Sequence, residues 1–176
     1  MNMDGLSNGC IFARVVEMLQ HSARAIAAGA LLFLLPTAVQ AAGPTRAFPF
    51  GLWSAGAYTD DQTGAFSRCA AYVPNNSGVV TLVTVDRSFD WSLRFVDPRW
   101  ALTPKAQIPI DMHFDGGPAS GVVGTALTPT MVEVPMPNTF RNSLQMSAQV
   151  QGQSFPSNLN FMSRLMFLLA NCAATG

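Results

Sequence analysis

Charge is scarce in this 176-residue chain: ten Lys and Arg face ten Asp and Glu, the net charge is zero, and no run of one sign occurs. That excludes the basic stripe by which proteins neutralise nucleic-acid phosphates, and it removes simple electrostatic attachment to anionic lipid. Histidine is scarcer still. Only His21 and His113 are present, so a Ser–His–acid triad or a multi-histidine metal site has almost nothing to draw on. Phosphate-cradling and dinucleotide glycine patterns are absent, as is a Gly-x-Ser-x-Gly elbow. No apolar run approaches the roughly 20 residues that cross a bilayer as a helix. No internal repeat or low-complexity tract is visible.

What is present first is an export signal. Arg14, His21 and Arg24 precede an apolar run from Ala25 to Leu35, Pro36 breaks it, and small residues lead to Ala41. These are the three regions of a cleaved secretory signal. Val39 and Ala41 place cleavage after Ala41, with Ala42 as the alternative. Met18 is a second candidate start, because Asp4 and Glu17 are out of place in an n-region. The expected organisation is a signal peptide over 1–41, a linker over 42–49 and one β domain over 50–176, in the periplasm or the medium, with no membrane span after cleavage.

Two of the three cysteines, Cys69 and Cys172, lie beyond the signal. An even count in an oxidising compartment reads as a disulfide, with two free thiols or a metal site as the alternatives. If formed, it closes a loop of about 100 residues, for which the chain-entropy model gives up to ~4–5 kcal/mol.

Beyond Pro49 the pattern has period two, the mark of half-buried strands. It runs over Phe66–Tyr72, Val79–Asp86, Phe89–Phe95, Ile108–Phe114, Val132–Met136 and Leu144–Val150, punctuated by turns such as Pro74-Asn75-Asn76-Ser77-Gly78 and Asp115-Gly116-Gly117-Pro118. This spacing predicts an all-β, mainly antiparallel sandwich or small barrel. Ser163–Ala170, with Leu165, Met166, Leu168 and Leu169 and no Pro or Gly, predicts a short C-terminal helix capped by Asn160 or Ser163.

Tests for catalysis fail one by one. His113 and Asp111 share the polar face of a strand as ordinary neighbours. Asp115-Gly116-Gly117-Pro118 resembles the end of the trypsin-type Gly-Asp-Ser-Gly-Gly-Pro loop, but Asp115 stands where the nucleophilic Ser belongs. Asp60 and Asp61 are adjacent, so their side chains diverge, and no second carboxylate faces them as a glycosidase pair requires. A calcium loop lacks its alternating oxygens and terminal Glu. No cofactor or metal is expected. The aromatics remain: Trp53, Tyr58, Tyr72, Trp91 and Trp100 either fill the core or form a binding surface. Trp100, just after the Asp97-Pro98-Arg99 turn, is the best exposed candidate. Tyr58, Asp60, Asp61 and Trp100 are therefore the candidate surface-binding residues.

Three blocks together resemble the invasion-associated locus B family, small exported proteins of alphaproteobacteria. They are Trp91–Pro104 (a strand, a Pro-containing turn and a Leu-Pro-type entry to the next strand), Ile108–Gly117 (an apolar strand closing on an Asp-Gly turn), and Gln153–Leu169 (a last strand followed by a short helix). Trp53 and Cys69 match the Trp and early Cys of that family's first strands. Its middle region typically carries further cysteines, whereas Asp115–Pro129 has none. The resemblance implies an exported β-sandwich without known catalytic chemistry, tied to the envelope or to a host partner, with no catalytic residue to carry over. The expected function is thus non-enzymatic binding of a protein or envelope component; the alternative is a secreted hydrolase or its accessory, glycan-binding domain.

Overall fold

The computed structural model describes residues 44–176. The expected signal peptide, its cleavage site and the Met18 start lie outside the described residues. Ten strands form one antiparallel sheet: β1 Phe48–Phe50, β2 Trp53–Thr59, β3 Phe66–Pro74, β4 Val80–Val85, β5 Trp91–Val96, β6 Gln107–Phe114, β7 Ser120–Thr128, β8 Met131–Pro135, β9 Gln145–Val150 and β10 Gln153–Asn158. A 3-10 turn, Asn138–Asn142, precedes β9, and the helix α1, Met162–Thr175, ends the chain. The order across the sheet is β1-β2-β3-β4-β5-β8-β7-β6-β9-β10.

The sheet curls over so that its two halves face each other. Phe95 of β5 meets Phe155 of β10 edge-on, ring centroids 5.1 Å apart. Thr81 of β4 and Ser157 of β10 share a buried hydroxyl hydrogen bond of 2.9 Å. β1 and β10 share no ladder, so the barrel does not close, and the all-β expectation resolves to a folded-over, sandwich-like sheet. The curl needs a close approach where β7 crosses to β8. A Cβ on Gly124 would stand 2.8 Å from Val132 and 2.9 Å from Val134, a contact only glycine permits.

Alternation decides what faces inward. On β3, Cys69, Ala71 and Val73 are buried, and the ladder continues that inner face through Val83 and Val85 of β4 and Leu93 and Phe95 of β5. α1 covers it near β2, β3 and β4, burying Met162, Leu165, Met166, Leu169 and Ala173, the spacing of one helical face. Burying each Leu is worth roughly 1.5–3 kcal/mol. Cys172 on this helix bonds Cys69 of β3, Cα atoms 6.1 Å apart and 103 residues apart in sequence.

Several expectations are corrected. Phe48 and Pro49 belong to β1, paired with β2, and Thr45 N–H donates to the Ala57 carbonyl at 2.8 Å, so residues 44–49 are not a free linker. α1 runs from Met162 to Thr175 rather than over 163–170. Neither Asn160 nor Ser163 caps it: Phe161 holds that position at φ 64° with no side-chain cap, while Ser163 Oγ donates to the Arg141 carbonyl. Phe89 is not strand. It sits in the β4–β5 turn at φ 62° and is half exposed.

Two carboxylates hold loops. Asp97, fully buried, accepts from the Arg99 amide and guanidinium, and Arg99 in turn donates to the Ser77 carbonyl. These bonds hold the Asp97 carboxyl below its ordinary value although burial pushes it up. Asp115 accepts from the amides of Leu144 and Gln145, tying the β6–β7 turn to β9, and its carboxyl is likewise lowered by those bonds.

Two outcomes follow. The Cys69→Ala/Cys172→Ala double variant will lose about 2–5 kcal/mol of unfolding free energy, read from urea melts; reductant will produce a similar loss in the wild type and none in the variant. A carboxylate with a depressed folded pKa adds stability above its unfolded pKa and loses it as pH falls through the folded one. Stability will therefore decline below about pH 4, and Asp97→Asn will lower stability at neutral pH and make the acid decline shallower.

Candidate functional site

Polar chemistry gathers on the outer face of β3, β4, β5 and β8. Outward positions of these strands align through the ladder: Ala70 opposite Thr84, Thr84 opposite Ser92, and Arg94 opposite Glu133. Their side chains form a connected network. Thr84 and Ser92 hydroxyls lie 2.7 Å apart, Ser92 donates to Glu133 at 2.9 Å, and Arg94 Nε donates to the same Glu133 oxygen at 2.6 Å. The Arg94–Glu133 pair is mostly buried, with side chains 16% and 29% exposed, so it is screened less than a surface pair. A groove opens beside it, lined also by Ser67, Arg68, Thr125, Asp86, Asp90 and Trp91.

Arg68 is the group this network leaves over. It lies next to Arg94 and carries no hydrogen bond to any described residue. Burial, then the like charge of Arg94, lowers its pKa; Glu133, Tyr58 and Asp61 act in the opposite sense. Asp86, also in the lining, accepts from the Ser88 and Asp90 amides, within its own turn. One tyrosine, Tyr58, stands next to Arg68. Tyr58 pairs with it across the β2–β3 ladder, and Tyr72 is the next but one outward residue of β3. Tyr58 is half-buried, and burial, with Tyr72 beside it, raises the phenol pKa, so it remains a neutral donor.

The residues named from sequence separate here. Tyr58 lies at this face, and Asp61 acts on Arg68 electrostatically. Asp60 is spent on its turn: one oxygen accepts from the Gln62 and Thr63 amides and the Thr63 hydroxyl. Trp100 is corrected. It is 7% exposed, inside the core with Leu102, and its indole N–H has no hydrogen-bond partner among the described residues. Trp53 is buried, whereas Trp91 is half-buried. His113 Nδ1 lies 3.0 Å from the Gly117 carbonyl, while Asp111 is exposed on β6 and Asp60 sits in the β2–β3 turn; these groups do not form one cleft. Among the described residues no group of three or more His, Cys, Asp or Glu is placed to hold a metal, and no helix is long and apolar enough to cross a membrane. The sequence reading missed Arg68, Arg94 and Glu133. The signal for them was charged residues at outward strand positions, where a Thr or Ser suffices.

No family model and no curated protein sequence matches the chain. Among solved structures, the invasion-associated protein B from Bartonella henselae overlays 71% of this chain and 96% of its own, at 17% identity and a TM-score of 0.47. That overlap is too low to carry an argument about fold or function.

Glu133→Gln will remove the one carboxylate bonded to Arg94 among the described residues and leave two adjacent guanidinium groups. The unfolding free energy will fall by about 1–3 kcal/mol, measured by urea melts, with the loss reduced in an Arg94→Met background.

Proposed function

We propose that the chain is an exported, non-enzymatic binding protein, retained in the periplasm or at the envelope, that presents the outer face of its sheet to a partner. The Cys69–Cys172 disulfide carries this reading, because such bonds persist in oxidising compartments and are rare in the cytosol. The export signal read at 1–41 agrees with it. The arrangement of acid and base groups favours binding over hydrolysis. The carboxylates that hold loops are consumed by backbone amides, and His113 has no carboxylate among its hydrogen-bond partners. The resemblance of Trp91–Pro104, Ile108–Gly117 and Gln153–Leu169 to the invasion-associated locus B family points the same way, toward an envelope or host partner.

Expression of the full chain in a bacterial host, followed by fractionation, intact mass and thiol titration, tests the reading. The expected product is a periplasmic or secreted chain starting at Ala42, with two thiols that appear only after reduction. A cytoplasmic chain that keeps residues 1–41 and has free thiols would overturn it.

A further inference from the structure

We infer that a cavity between the β1–β2 hairpin and the start of α1 binds a small amphiphilic carboxylate, a molecule with an apolar body and one anionic head, of which an alkanoate is the simplest case. Arg164 receives the head. This goes beyond the partner-binding reading above and does not depend on it.

β1 and β10 are the two edges of the sheet. The turn that follows β1 and the passage from β10 into α1 stand on either side of one cavity of about 390 Å³, within the range of small-molecule sites. Phe50, Leu52, Trp53 and Phe161 supply apolar walls, Asn158 and Asn160 add polar groups, and Arg164 is the one ionisable residue of the lining.

Two of these walls have no explanation in the core. Gly51 and Leu52 form the two-residue turn between Phe50 and Trp53, with Gly51 at φ 59°. Such turns sit in water and favour polar residues, yet this one carries a leucine that is 73% exposed. Phe161 is 75% exposed and holds φ 64°, a conformation that suits Gly or Asn and strains a bulky residue. A single exposed apolar side chain is ordinary. Two of them on opposite sides of one cavity, one on strained backbone, are the marks of a binding site.

Arg164 sets the sign of the head. It is exposed in the first turn of α1, its guanidinium makes no hydrogen bond or ion pair with a described residue, and no carboxylate lines the cavity. A guanidinium fork matches a carboxylate in two parallel bonds, and one guanidinium answers one negative charge. The Asn158 side chain accepts from the Asn160 amide at 2.8 Å, which leaves the Asn160 side chain as a neutral donor for the head. A second cavity, about 490 Å³, shares Leu52 and Asn158 with this one and has Asp115 in its lining. That carboxylate repels an anionic head, so the head stays at the Arg164 end and the tail points toward Leu52.

The test is titration of the protein purified from expression of the full chain with octanoate, 1-octanol and octylammonium, which share a tail and differ in the charge of the head. Calorimetry reads the binding, as does tryptophan fluorescence, Trp53 being in the lining. Octanoate is expected to bind at least about tenfold more tightly than octylammonium, the factor expected for a hydrogen bond between charged groups. Arg164→Gln will bring octanoate down to the affinity of octanol, and Arg164→Lys will keep part of the difference. Phe161→Asn will weaken octanoate and octanol alike. Because Asn tolerates a positive φ, the same variant will leave the thermal midpoint unchanged or raise it, so loss of ligand without loss of fold separates a binding role from a structural one. No saturable binding of octanoate at millimolar concentration, octylammonium binding as tightly as octanoate, or a preference that survives Arg164→Gln would each overturn the assignment. So would attachment of the protein to phosphatidylcholine vesicles that octanoate does not displace, which would make Leu52 and Phe161 a membrane contact instead. None of these results bears on export or on the disulfide, so the broader reading stands or falls separately.

Discussion

A sheet that curls without closing leaves the part of its apolar inner face on β2, β3 and β4 for α1 to cover, and the bond between Cys69 and Cys172 ties that cover to β3. α1 contributes Met162, Leu165, Met166, Leu169 and Ala173 to that face. Alone it would be a poor helix: it has 14 residues, no side-chain cap and no acidic residue in its first turn, and isolated helices of that length are marginal in water. Its order is tertiary. At one end Ser163 Oγ is bound to the Arg141 carbonyl and Phe140 is fully buried. At the other, the disulfide reaches back to β3. The strained backbone at Phe161, φ 64°, is where the chain turns from β10 onto the sheet, a conformation that a bulky residue adopts only when its surroundings over-determine it.

The inner face being spent on this core, chemistry is left to the outer one. Period-two alternation gives every strand residue a side, so Cys69 pointing to the helix obliges Arg68 and Ala70 to point away from it. Ala70 is small, which leaves room above it for larger outward neighbours, and the ladder then sets Arg94, Ser92 and Glu133 within bonding distance. The same rule places Asp111 on the outer face of β6. Arg68 and Arg94 share this groove with Asp86, Asp90 and Glu133, and in a chain whose net charge is zero such a cluster leaves no trace in composition.

Many of the strands were legible because alternation is local. β3, β4, β5, β6, β8 and β9 sit within a few residues of the runs that predicted them. β2 and β7 were not legible. Trp53–Thr59 is rich in Ala and Gly, and Ser120–Thr128 carries Gly121 and Gly124. These small residues serve close approaches: Gly56 lies under Pro44 and Gly124 against Val132 and Val134. Composition marks such segments as loops, and only the packing explains why they are strands. Trp100 failed for the related reason that a turn position says nothing of where a side chain is drawn. Between β5 and β6 the chain runs through a segment held by Asp97, Leu102 and Lys105, whose amides donate to Thr130, Pro129 and Ala126, and the indole is carried into the core with it.

By itself the sequence determined the β class, the terminal helix and the pairing partner open to Cys69. Each depends on residue type, count or a period read within a dozen residues. The tertiary structure decided the strand order, the unclosed curl, the burial of Trp100 and the meeting of Arg68, Arg94 and Glu133. Arg94 and Glu133 are 39 residues apart and touch because β8 returns beside β5, a register set by the packing of the whole sheet, which no local pattern encodes.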